Sequence, residues 1–166
     1  MLEGFPRMAG PAERDMDSLG AMPLSGTERI TRHAMRGVCR MFGEMGWGAL
    51  IEFRLPVGRR VDVIALSDRG RFAIVEVKSG AADFRADRKW QEYVAFCEAF
   101  YFAVPVGFPL TLLPDGCGLI VADEYGAAIR RESPEFALDP ARKRRQLVRF
   151  AHAASARLQR VLDPGV

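Results

Sequence analysis

Apolar residues return at Ile30, Ala34, Val38 and Met41, the three-and-four spacing of one helix face, so the first folded element is a helix opening near Gly26 or Thr27. Thr27 is a suitable N-cap, and Gly43 and Gly46 close the element. The period then changes. Ala49–Leu55 and Arg60–Leu66 read as strands joined by the turn Pro56-Val57-Gly58. After the turn Ser67-Asp68-Arg69-Gly70, the run Phe72–Ser79 (F-A-I-V-E-V-K-S) is a third strand whose unbroken apolar start predicts burial on both faces.

The next periodic stretch, Ala86–Glu98, puts Trp90, Val94 and Cys97 on one face of a helix, with Asp83 or Asp87 near its N-terminus. Phe100–Val104 returns as a strand, and the crossover makes it a parallel neighbour of the third strand. A short helix or turn over Pro109–Leu113 precedes two short strands, Gly118–Ala122 and Ala127–Arg131. Asp139-Pro140 opens the last helix, whose apolar stripe is Leu147, Phe150, Ala154, Leu158 and Val161. The pattern predicts one α/β domain over residues 26–166 with a mixed sheet, ending in a basic amphipathic helix. Residues 1–25, rich in Gly, Pro and Met and without period, are expected to form a flexible leader.

Composition narrows the chemistry. The chain has 166 residues and is 49% hydrophobic, enough for a core of its own. Its net charge of +3 identifies no partner, but from Ala127 onward nine Arg and Lys face four Asp and Glu, a local surplus suited to phosphate. Three scattered cysteines, Cys39, Cys97 and Cys117, fit neither a disulfide framework nor a zinc ribbon, and a reducing cytoplasm suits them. No apolar run reaches the roughly 18 residues of a membrane span. With two histidines, His33 and His152, both read as ordinary helix residues, a tri-histidine zinc centre is poorly supplied and any metal should be oxygen-bound.

Two strands carry charges where apolar residues are expected. Glu76 and Lys78 are two apart, so both project to one face while Val75 and Val77 project to the other. Burying such a pair costs several kcal/mol unless it is compensated or binds a metal. Asp62 interrupts the preceding strand between Val61 and Val63, and the Ser67–Gly70 hairpin turn allows it to converge with Glu76. Two carboxylates and the backbone carbonyl of Val77 then make a hard site suited to Mg²⁺ or Mn²⁺, with Lys78 beside the water that attacks a phosphodiester. A plain solvent-end Glu–Lys pair is the bland alternative.

The runs G-R-R-V-D-V-I-A-L and F-A-I-V-E-V-K-S-G resemble the PD-(D/E)XK nuclease superfamily, through Asp62, Glu76 and Lys78. The continuation D-F-R-A-D-R-K-W-Q-E-Y, residues 83–93, is similar to the MmcB-like group of bacterial DNA-repair endonucleases, and the likeness spans residues 27–135. It implies a restriction-endonuclease-like core, about four to six strands of mixed sheet flanked by helices, together with divalent metal and a role in tolerance of DNA damage. Val61 stands where the motif's proline would be, a departure shared by many members. By the same resemblance a further acid comes from the first helix, matched by Glu28, with Glu52 on the first strand competing for that role. Lys89 and Gln91 match the polar positions that often complete such sites.

DNA contacts are expected from Arg59 and Arg60, whose guanidinium forks match phosphate, and from the run Arg142-Lys143-Arg144-Arg145. Trp90 could stack on an unpaired base, although its helical spacing equally suits the core. The leading expectation is a Mg²⁺-dependent DNA endonuclease in repair. The alternative is a weak or silent DNA-binding module of the same fold that recruits repair partners. Third comes a small dimeric structural protein, and a homodimer is compatible with each reading, although no coiled-coil seam marks one.

Overall fold

Six strands in sequential order make one mixed sheet: β1 (Gly48–Arg54), β2 (Arg60–Leu66), β3 (Phe72–Val77), β4 (Ala99–Val104), β5 (Gly118–Ala122) and β6 (Ala127–Arg131). The computed structural model describes residues 24–86 and 90–165, so the leader expected at 1–25 lies almost wholly outside the described residues. The β1–β2–β3 meander is antiparallel, β3–β4 and β4–β5 are parallel, and β6 returns antiparallel to β5. Every residue of β3 and β4 is buried, as the continuous apolar run predicts for a central strand.

Helices cover both faces. On one, α1 (Gly26–Glu44) packs Ala34, Val38 and Phe42 against Val63, Val75 and Val77. Its N-cap is Ser25 rather than Thr27: the Ser25 hydroxyl accepts the Glu28 N–H, and the Glu28 carboxylate takes the Ser25 N–H at 2.8 Å. This reciprocal capping box satisfies two donors where a lone Thr27 would satisfy one. On the other face, α3 (Pro140–Leu162) seats Phe150 against Phe53 and Phe72, with ring centres 6.2 and 6.0 Å away. Asp139 caps it and Pro140 opens it, as expected.

Two sequence expectations need correction here. The helix expected over Ala86–Glu98 is instead α2 (Ala81–Ala86) followed by two 3-10 turns, Trp90–Glu92 and Val94–Phe96. Trp90, Tyr93 and Phe96 must all reach the core around Phe100, and their spacing of three suits three residues per turn. Tyr93 N–H to Trp90 C=O and Phe96 N–H to Tyr93 C=O, both 2.9 Å, close those turns. Along α3 the stripe turned inward is Gln146, Leu147, Phe150 and Ala153, whereas Leu158 and Val161 are exposed. No helix among the described residues is long and apolar enough to cross a membrane.

Candidate active site

The β2–β3 ladder runs from Leu66↔Phe72 to Val63↔Val75 and stops. One step further, side chains replace the backbone pairing. The Asp62 N–H donates to Glu76 Oε1 at 3.3 Å, and the Val77 N–H donates to Asp62 Oδ2 at 2.8 Å. β3 stays in the sheet through β4, with Glu76 beside Phe102, Val77 beside Ala103, and the Lys78 N–H on the Ala103 carbonyl at 2.8 Å. Two carboxylates therefore occupy the fork at which β2 departs.

Glu76 and Lys78 point to the α3 side of the sheet, opposite Val75 and Val77, as the strand period requires. Each is 6% exposed, and Lys78 Nζ lies 4.0 Å from Glu76 Oε2 and 6.0 Å from the centre of the Phe102 ring. Burial pushes the Asp62 carboxyl above its ordinary range. The Val77 N–H, Lys78 and Arg60 pull it down, and the Asp83 carboxylate adds to the rise. Asp83 is itself anchored by the Ser79 N–H and hydroxyl, both at 3.0 Å. The sequence marked Asp83 only as a helix-start residue; that it opens the D-F-R-A-D-R-K-W block was the available signal of its nearness to the site.

An ionised carboxylate made costly by burial is relieved by a cation. Among the described residues no group of three His, Cys, Asp or Glu is arranged to hold a metal; the carboxylates that the fork brings together are those of Asp62 and Glu76. That set fits Mg²⁺, which takes one or two carboxylates and keeps several waters, and does not fit a closed four-ligand zinc site.

The remaining sequence candidates lie variously. Glu28 is exposed and engaged in the α1 cap, where the Ser25 N–H and hydroxyl hold its carboxyl below the usual range. Glu52 stands on β1 between the pairs Ile51↔Val63 and Phe53↔Val61, across from Asp62, and binds Arg60 at 3.2 Å. Its φ of 48° breaks the strand alternation, so that Leu50 and Phe53, three apart, reach the same core. Arg59 pairs with Glu92 at 2.8 Å. Trp90 is stacked on Phe100 at 5.3 Å, its ring part of the core, and Gln91 is exposed. Lys89 falls outside the described residues.

The basic run on α3 divides. Arg142 donates to the Ala95 carbonyl at 2.7 Å with its guanidinium 4.9 Å from the Phe96 ring centre, and Lys143 bonds Glu98. Both therefore tie α3 to the sheet. Arg144 and Arg145 are exposed. His33 pairs with Glu124 at 3.4 Å, and His152 is exposed on α3.

A mixed α/β sheet with an acid pair and a buried lysine at a strand fork defines the class of domain. The chain belongs to the DNA repair protein MmcB-like family, whose model matches residues 24–165. A solved structure, the SPO1766 protein of unknown function from Silicibacter pomeroyi, is similar at 40% identity with a TM-score of 0.78, over 86% of this chain and 95% of that one. Pyrococcus furiosus SfsA in complex with Ca²⁺ matches at 12% identity and a TM-score of 0.33, over 57% and 60%. No curated protein matches the chain.

Proposed function

We propose that this chain is a divalent-metal-dependent DNA endonuclease of the PD-(D/E)XK kind acting in repair, with Asp62, Glu76 and Lys78 as its reacting group. The observation that carries this reading is the fork itself: the Glu76 carboxylate on the Asp62 N–H and the Asp62 carboxylate on the Val77 N–H, beside a buried lysine, at the end of an apolar strand. Membership of a DNA repair family supplies the polymer. Asp62 and Glu76 would hold Mg²⁺ or Mn²⁺. The Val77 carbonyl would join them, because in a strand the N–H and C=O of one residue point to the same side, and the Val77 N–H points at Asp62.

When bound, the cation supplies electrostatic stabilisation of charge developing on the phosphate. Lys78, its ammonium held beside the Glu76 carboxylate, would orient the attacking water and the phosphate by hydrogen bonding and charge. Phe102 beneath Nζ keeps bulk water away, which strengthens each of these interactions.

One observation favours a second reading, a silent DNA-binding module: Asp62 Oδ2 and Glu76 Oε1 already accept backbone N–H groups, and no third acid joins them among the described residues. The deciding experiment incubates labelled single-stranded, duplex, flap and four-way-junction DNA with Mg²⁺ or Mn²⁺, comparing wild type with Lys78→Ala and Glu76→Ala. Cleavage of one substrate that both variants lose is the expected result. DNA binding without turnover in the wild type would transfer the assignment to the recruitment module.

A further inference from the structure

Two helices present basic ridges. Along α1, Arg29, Arg32, Arg36 and Arg40 are exposed at helical spacing, and along α3 Arg145, Arg149, His152 and Arg160 are. The sheet separates them. α1 covers the face of Val75 and Val77, while α3 covers the face of Phe72 and Ile74, to which Glu76 and Lys78 project. Only the α3 ridge shares a side with the candidate active site.

Between α3 and the end of β1 lie two adjoining cavities of about 650 Å³ each, with Val148 and Arg149 lining both. One extends past Arg144 and Arg145 to Pro56 and Val57; the other extends past Arg157 and Arg160 to Glu52 and Arg54. Together they form a continuous trough. Among the described residues that line it, Glu52 is the one acid, and it is bound by Arg60. Among the described residues Arg54, Arg149 and Arg160 have no carboxylate partner within ion-pair distance, so the trough keeps a net positive wall.

The spacing selects the kind of anion. From Arg144 to Arg160 the helix rises roughly 24 Å, at about 1.5 Å per residue. A small phosphate needs one or two arginines; a row of this length spans the axial rise of roughly seven nucleotides of a duplex strand, at about 3.4 Å each, and so fits a polyanion. The trough also leads to the chemistry. Glu52 stands across from Asp62 on the adjacent strand, and neighbouring strands are about 4.8 Å apart.

We infer that the trough between α3 and β1 seats the DNA backbone flanking the scissile bond, with Arg149 and Arg160 as sequence-independent phosphate contacts. The identity of the polyanion rests on the proposed function above; the trough and its charge do not. Base edges are not needed for this seat, so affinity should depend on salt far more than on sequence.

The test is fluorescence anisotropy of labelled single-stranded and duplex DNA in EDTA, over a salt series, with Arg149→Ala/Arg160→Ala against Arg32→Ala/Arg36→Ala. All four side chains are exposed, and matching melting curves check that both variants fold. The α3 variant should bind at least roughly tenfold more weakly and flatten the logarithmic salt slope by about two, while the α1 variant stays near wild type. Equal losses in both variants, an unaltered α3 variant, or a wild type with no DNA affinity would overturn the inference. Because metal is absent, a chain that binds through α3 yet cuts nothing supports the trough while removing the nuclease. Cleavage with unaltered affinity in the α3 variant removes the trough alone.

Discussion

The backbone N–H of Asp62 donates to the Glu76 carboxylate across 3.3 Å, so each member of the acid pair is held by more than charge. The Asp62 carboxylate in turn accepts the Val77 N–H. Asp62→Asn keeps an acceptor for that N–H, whereas Asp62→Ala orphans it. In urea unfolding the alanine variant should be about 1–2 kcal/mol less stable than the asparagine one, with cleavage absent from both. Sign matters for the pH dependence. Burial raises the carboxyl of Asp62, so its ionised form is disfavoured in the fold; the penalty is absent at low pH and grows as pH climbs through the ordinary value of 3.8 to the higher folded one. Asp62→Asn should therefore gain on wild type as pH rises from about 4 towards neutrality. Mn²⁺ should raise the wild-type Tm more at pH 7 than at pH 5, and leave Asp62→Asn unmoved. An Mn²⁺ effect equal in both proteins would remove Asp62 from the metal site.

Lys78 and Glu76 are each 6% exposed, and truncating one leaves the other's charge buried without it. Lys78→Ala should cost roughly 3 kcal/mol in stability, and adding Glu76→Gln should restore part of that loss. The double-mutant cycle in urea reads the coupling directly. Additive losses would mean that the pair does not interact across its 4.0 Å.

Lys143 belongs to the scaffold. It bonds Glu98, whose other oxygen accepts the Phe72 N–H at 2.7 Å, joining α3 to the start of β3. Lys143→Ala should lower stability by about 1–3 kcal/mol with DNA affinity nearly unchanged in the folded protein, the opposite of the effect at Arg149. Loss of affinity without loss of stability would return Lys143 to the phosphate contacts.

At Gly37 the helix α1 touches the β5–β6 turn. A Cβ there would lie 2.1 Å from the Asp123 carbonyl oxygen and 2.4 Å from that of Gly126. The turn is stiff: Asp123 Oδ1 accepts the N–H groups of Tyr125 and Gly126 at 2.8 and 3.0 Å. Alanine gains about 1 kcal/mol of helix preference but must displace backbone, so Gly37→Ala should destabilise by about 2–4 kcal/mol net. A variant as stable as wild type in thermal melts would show that α1 can lift from the turn.

The strands were readable because alternation and continuous apolar runs are local properties. Asp62 and Glu76 stood out as charges inside those runs, and the short turn at Ser67–Gly70 allowed them to converge. What sequence could not supply was long-range. Arg142 and Lys143 look identical to Arg144 and Arg145 along the chain, and only the positions of Ala95, Phe96 and Glu98 separate anchors from free cations. Trp90, Val94 and Cys97 misled for a different reason: their spacing suits a helix face, whereas Trp90, Tyr93 and Phe96, three apart, close consecutive 3-10 turns against the core around Phe100. Leu158 and Val161 keep the helical period yet are exposed, because periodicity does not say where along a helix the packing stops.

Glu52 has one further consequence. β1 is an edge strand, and an edge normally offers a ladder of donors and acceptors onto which a foreign strand can zip. A residue at φ 48° bends that ladder in the middle, and Arg157 already occupies the Glu52 carbonyl at 3.3 Å. An incoming β-segment would meet an interrupted template, so this edge offers side chains rather than a continuous backbone ladder beside Asp62.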